Sequence, residues 1–200
     1  MKSIKFLYNR TSMNSIVEDM VKICLTFFIF FTSLILNAQT AQISKTDNSY
    51  GGFIYPLKEG DSIPKELWYH KLRILDSDGN VNETTLNNFR NKKLIVLDFW
   101  ATWCGTCISS LPTIDTLSRQ FNDDIQIFFV SAQDREKITK FLDRKQVNYN
   151  FPFVCEENIL EGYFPHRYLP HSIVISDNRV LKVLGAEKLN ARKINTFLNK

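Results

Sequence analysis

The segment Leu94-Ile95-Val96-Leu97-Asp98-Phe99-Trp100-Ala101-Thr102-Trp103-Cys104-Gly105-Thr106-Cys107 constrains this chain more than any other. Its first half is apolar apart from one carboxylate and too short for an independent helix, so it reads as a strand buried on both faces. After Cys107, residues Leu111, Ile114, Leu117 and Phe121 recur at helical spacing, which predicts a helix that opens at the cysteines. The strand then delivers Cys104 to the exposed first turn of that helix and Cys107 to one turn further in.

Two cysteines at a helix start have a defined chemistry. Backbone N–H groups without intrahelical partners, together with the helix dipole, favour negative charge and bring a cysteine pKa from about 8.5 to near 7. That is worth roughly 2 kcal/mol. Residues three apart share a helix face, so Cys107 can reach back to a disulfide formed on Cys104. Attack by Cys104 and resolution by Cys107 is the expected division of labour. No second Cys-x-x-Cys or His-x-x-x-His supplies further ligands, so neither a metal nor a cofactor is expected.

Trp103-Cys104-Gly105-Thr106-Cys107, with Asp98 before it, resembles the active site of thioredoxin-like proteins. The nearer match is the TlpA/ResA-like group of extracytoplasmic thiol-disulfide oxidoreductases. It runs from about Leu57 to the C-terminus and includes Asp61-Ser62-Ile63-Pro64 and Leu111-Pro112. The resemblance implies an α/β, thioredoxin-like fold: a central mixed β-sheet flanked by helices, with an N-terminal β-hairpin and a central helix-strand insertion. It also implies roles for individual residues. Asp98, six positions before the first cysteine, becomes the acid/base for Cys107. Pro170 becomes the cis-proline facing the cysteines, turning the backbone of Leu169 toward a substrate segment, and Trp103 flanks and shields the dithiol. Thr106 stands where many relatives carry proline, in the dipeptide that tunes redox potential. Pro112 matches a helix-kinking proline.

Other residues are read directly. An ionised Asp98 is costly to bury among apolar neighbours, so its pKa is expected to be raised. Trp100 is expected in the core. By the same resemblance, His171, after Pro170, is expected near Cys104, where it can tune the thiolate. Cys155 reads as a small buried hydrophobe, whereas His70 and His166 show no partner pattern and are expected at the surface.

At 200 residues and 44% hydrophobic content, the chain supports one core of ordinary size plus a leader. A formal net charge of +4 points to neither nucleic acid nor an anionic surface. Lys22, an apolar run of about 14 residues from Ile23 to Leu36, and Asn37-Ala38-Gln39 follow the order of a secretory signal. As a helix the run spans roughly 21 Å, short of a bilayer core. Residues 1–38 are therefore a signal peptide cut near Ala38, or an uncleaved anchor. Residues 1–19 are a possible start-site artefact, because Met20-Val21-Lys22 makes a more compact start. Residues 39–55 form a linker and residues 56–200 the thioredoxin-like domain.

Within that domain the patterns predict hairpins of Leu72–Leu75 with Asn80–Glu83 and of Ser172–Ser176 with Arg179–Leu184. Further strands are expected at Ile125–Ser131 and Asn150–Cys155. Helices are expected at Leu86–Phe89, Glu136–Lys145, Ile159–Phe164 and Ala191–Leu198. The functional expectation is a periplasmic or cell-envelope protein-disulfide reductase. Its partners are disulfide-containing envelope proteins and a membrane electron donor, with membrane contact only through the N-terminal segment. Two alternatives stand beside it. One is an envelope protein-binding module whose dithiol is incidental. The other is a peroxiredoxin-like peroxidase, whose Thr-x-x-Cys pattern is not matched because Thr102 lies two residues before Cys104.

Overall fold

The computed structural model describes residues 20, 22–25, 54–75, 79–145, 149 and 151–200. The chain divides into two units, Met1–Asp47 and Asn48–Lys200. In the first, residues 22–25 are helical and exposed. The rest of the expected leader, its cut site and the linker up to residue 53 lie outside the described residues. So does most of the turn expected between the first two strands, residues 76–78. No helix among the described residues is long and apolar enough to cross a membrane.

The second unit is organised around strand β3 (Leu94–Phe99), which is buried along its whole length. Before it come α1 (Lys65–Trp68), β1 (Leu72–Leu75), β2 (Val81–Thr84) and a 3-10 turn at Leu86–Phe89. After it come α2 (Gly105–Gln120), β4 (Ile125–Val130), α3 (Arg135–Lys145), β5 (Phe153–Val154) and α4 (Ile159–Tyr163). Strands β6 (His171–Ser176) and β7 (Arg179–Leu184) and helix α5 (Ala191–Leu198) complete it. The sheet order is β2-β1-β5-β4-β3-β6-β7. Neighbours β3–β4 and β4–β5 are parallel and the other pairs antiparallel. This is the mixed sheet, flanked by helices, that the resemblance implies.

Because side chains alternate along a strand, the sheet divides the hydrophobic core in two. Val96 and Trp100 share one cluster with Cys107, Leu111 and Ile114 of α2, Ile138 and Phe141 of α3, and Ile194 and Phe197 of α5. Ile95, Leu97 and Phe99 share the other with Leu67 of α1, Leu160 of α4, and Ile173. Each such side chain, fully buried, contributes roughly 1.5–3 kcal/mol. Asp177 and Asn178 take φ of 47° and 65°, the left-handed pair that a two-residue hairpin turn between β6 and β7 requires.

Several boundaries shift by one residue from expectation, and β5 differs by more. Strand β2 starts at Val81 rather than Asn80. Of the expected Asn150–Cys155, Asn150 lies outside the described residues, and among the rest β5 keeps only Phe153 and Val154. It is wedged between β4 and β1, with two residue pairs to each. Glu156, at φ 56°, turns the chain away immediately after Cys155. Upstream, the rings of Tyr149 and Phe151 stack on each other at 5.5 Å instead of extending the strand.

Candidate active site

Cys104 is the N-cap of α2, and it forms a disulfide with Cys107 across a Cα separation of 5.3 Å. The Cys107 N–H donates to Cys104 Sγ at 3.2 Å, and the Thr106 hydroxyl lies 3.6 Å from the same sulfur. First-turn donors thus converge on Cys104, the atom on which a thiolate is stabilised after reduction.

The expected exposure of Cys104 is not observed. It is 5% exposed and Cys107 fully buried, because the helix start packs into the cluster of Trp100, Ala101 and Leu111. Trp103 takes the surface position instead and is 74% exposed. The loop carrying it is tied down by Gln133, whose Oε1 accepts from Thr102 N at 2.7 Å and whose Nε2 donates to Thr102 Oγ1 at 3.1 Å. Sequence reading missed Gln133, since no periodicity relates a residue of the β4–α3 loop to one before α2.

Asp98 is buried within β3. Strand alternation puts it on the face of Val96 and Trp100, the face covered by α2 and Cys107. It pairs in register with Ser172, whose hydroxyl donates to Asp98 Oδ1 at 2.8 Å. Burial pushes its carboxyl up to about 7, against the opposing pull of the Ser172 bond. At neutral pH the group is therefore poised between its two protonation states.

The Leu169–Pro170 peptide bond is cis. Pro170 is buried and Leu169 half-buried, directly before β6, which runs beside β3. Leu169 and Trp103 line one groove of about 630 Å³ together with residues of the loops after β4 and β5.

The three histidines differ from expectation. His171 pairs with Phe99 across β6 and β3, so its ring lies on the sheet face opposite Asp98 and Cys107 rather than toward the dithiol. There it stacks on His166 at 4.9 Å, with Phe99 6.0 Å away. Burial, with the neighbouring His166, pushes its pKa down to about 4. His166 is half-buried in this stack. His70 bonds Glu157 at 2.9 Å, and the buried Glu157 also accepts from Leu160 N at 2.8 Å, a tie across 87 positions that no local pattern announces. Cys155 is 1% exposed, and burial pushes its thiol pKa up, as befits an inert core thiol. Among the described residues no group of three or more His, Cys, Asp or Glu side chains is placed to hold a metal ion.

A family model described as Redoxin matches residues 58–196. Thioredoxin-T of Drosophila melanogaster is 29% identical over 114 residues, which is 54% of this chain and 55% of that protein. The chain thus spans little more than half of this curated relative. The thioredoxin domain of a thiol-disulfide oxidoreductase from Bacteroides vulgatus superposes with a TM-score of 0.52 at 22% identity, covering 72% of this chain and 99% of that one. A PrxQ mutant from Xylella fastidiosa superposes at 0.58 and 17% identity, covering 72% and 96%. These two likenesses are likenesses of fold, and the fold is thioredoxin-like.

Proposed function

Because the chain belongs to the Redoxin family, we propose that it is an extracytoplasmic thiol-disulfide oxidoreductase that reduces disulfides of cell-envelope proteins. The observation that carries this is the Cys104–Cys107 disulfide at the start of α2, over the sheet face that buries Asp98. In the reduced enzyme the Cys104 thiolate attacks one sulfur of a substrate disulfide. The substrate S–S bond breaks, a mixed disulfide forms and one substrate thiol leaves. Cys107 then gives its proton toward Asp98 and attacks Cys104 Sγ. The Cys104–Cys107 bond forms, the mixed disulfide breaks and the second substrate thiol departs. Two electrons pass from the enzyme dithiol to the substrate. With a pKa of about 7, Asp98 can both take and return a proton near neutral pH.

Trp103, Leu169 and Pro170 form the substrate-binding side, with the backbone of Leu169 pairing to an extended segment. The leader pattern of residues 20–38 and the resemblance to the TlpA/ResA-like group support placement in the periplasm or cell envelope. A membrane electron donor would restore the dithiol there. The test is insulin reduction by the full chain with dithiothreitol as electron source. Turnover that is lost in Cys104→Ser supports the proposal. Inactivity of the wild type toward insulin, with rapid consumption of hydrogen peroxide, would instead indicate a peroxidase. Inactivity toward both would leave the binding-module reading.

A further inference from the structure

The groove of about 630 Å³ is lined on the dithiol side of the chain by Trp103, the residue before Cys104, and by Leu169, the residue before the cis-proline. The same lining takes charged residues from the β4–α3 loop, α3, the stretch after β5 and α4: Asp134, Lys137, Glu156 and Glu161. The charged groups there are not equivalent. Asp134 is held by Lys137 at 2.8 Å. Glu156 is held by Arg73, outside the groove lining. Glu161, half-buried on α4, makes no hydrogen bond or ion pair with any described residue. The groove therefore carries one uncompensated negative charge. The same groove is lined by the Trp103 indole, which is 74% exposed, and Tyr168, next to Leu169 in the chain, is 77% exposed. An exposed indole and an unpaired carboxylate lining one groove are features of a surface that is completed by a partner.

We propose that this groove docks an extended segment of the disulfide-bearing polypeptide and that Glu161 selects a lysine or arginine near the substrate cysteine. The proposal rests on the oxidoreductase reading and adds to it a substrate class: disulfides flanked by basic rather than acidic residues. A substrate that covers the groove removes water from Glu161. The carboxylate then has to find a cation, whereas an acidic or neutral side chain leaves it desolvated and unpaired. Trp103 supplies apolar contact that is indifferent to that charge. The electron transfer is the exchange already described, from the Cys104/Cys107 dithiol to the substrate disulfide, and Glu161 takes no part in it.

The full reduced chain is to be assayed with peptides whose single cysteine is disulfide-linked to thionitrobenzoate. The peptides are identical except for Lys, Ala or Glu at about two to five residues from the cysteine, positions within reach at roughly 3.3 Å per extended residue. At low salt the best Lys peptide is expected to exceed its Glu counterpart in kcat/KM by about 3–10-fold, and the difference is expected to shrink at high salt. Glu161→Gln should erase the preference and Glu161→Lys invert it, because the first removes the desolvated charge and the second reverses it. Equal rates for Lys and Glu peptides in the wild type overturn the proposal, as does a preference that survives in Glu161→Gln. Both results leave the oxidoreductase reading standing. If neither the peptides nor insulin are reduced, the oxidoreductase reading falls and this proposal falls with it.

Discussion

Asp98 and His171 occupy adjacent rungs of one strand pair, yet they sit on opposite faces of the sheet and have opposite fates. Asp98 pairs with Ser172, and His171 with Phe99. Both groups are withdrawn from water, and withdrawal favours the neutral form of each. For an acid that means a pKa raised from 3.8 to about 7. For an imidazole it means one lowered from 6.5 to about 4. The same desolvation thus carries one titration into the neutral range and the other out of it. Burial brings the Asp98 titration to neutral pH, as the proposed proton transfer requires, and makes His171 a flat, uncharged ring that packs on His166 and Phe99. Chemistry collects on one face because of what burial does to each side chain, not because titratable residues are absent from the other.

The contrast is broken most severely from the dithiol face. Cys107→Ser is expected to reduce catalytic turnover to background while mixed disulfides on Cys104 accumulate, as non-reducing electrophoresis of the trapped species would show. If turnover persisted, the resolving role of Cys107 would be refuted.

Asp98→Asn comes next and separates stability from catalysis. The unfolded carboxyl ionises above its ordinary value of 3.8, whereas the folded one stays protonated until about pH 7. The folding penalty of the wild type therefore grows from about pH 4 to pH 7 and is constant above that. Asp98→Asn should be more stable than the wild type by on the order of 4 kcal/mol at pH 8, and nearly equal to it at pH 4, in urea denaturation. The resolution step near pH 7 should slow by about 10²-fold, while the initial attack by Cys104 changes less. Equal slowing of both steps would show Asp98 acting through thiolate energetics or packing.

On the opposite face, His171→Ala should cost about 0.5–1.5 kcal/mol of stability for the lost ring stack and a further share for the ring area it no longer buries. The pH profile of turnover between 6 and 8 should keep its midpoint. A displaced midpoint would place His171 in the proton path and erase the distinction between the faces. The subtlest change is Ser172→Ala. It removes the hydrogen bond that holds the Asp98 pKa down, so the pH midpoint of resolution should move upward with little loss of rate. A downward movement would contradict the assignment of that bond to the ionised carboxylate.

Much of this was legible in the chain itself. The apolar run Leu94–Phe99 and the spacing of Leu111, Ile114 and Leu117 fix β3 and α2, because burial on both faces and burial on one face leave different periodicities. Asp177-Asn178 announces the β6–β7 hairpin through residues that tolerate positive φ. The isolation of Asp98 among apolar neighbours was enough to give the direction of its pKa. What escaped was set by pairing across long separations. The resemblance sets His171 beside the cysteines through its neighbour Pro170, whereas its face follows only from the register of β6 on β3. Cys104 was expected at the surface because position at a helix start says nothing about what packs over it. The bonds of Gln133 to Thr102 and of His70 to Glu157, like the groove holding Glu161, join loops whose meeting is a property of the folded sheet. Strand β5 was overestimated because its length is limited by what its two neighbours leave open.

That short strand has a consequence for how the molecule comes apart. The hairpin β1–β2 reaches the rest of the sheet through two residue pairs on each side of β5, whereas β3 is held by six pairs to β4 and five to β6. Phe153 and Val154 therefore act as a seam. Partial opening should detach the hairpin as a unit and stop at β4, so native-state amide exchange should be fastest in β2 and β1 and slowest in β3. The strand that carries Asp98 then remains closed to water through openings that release a whole edge of the domain, and the proton equilibrium behind the cysteines is insulated from the softest part of the fold.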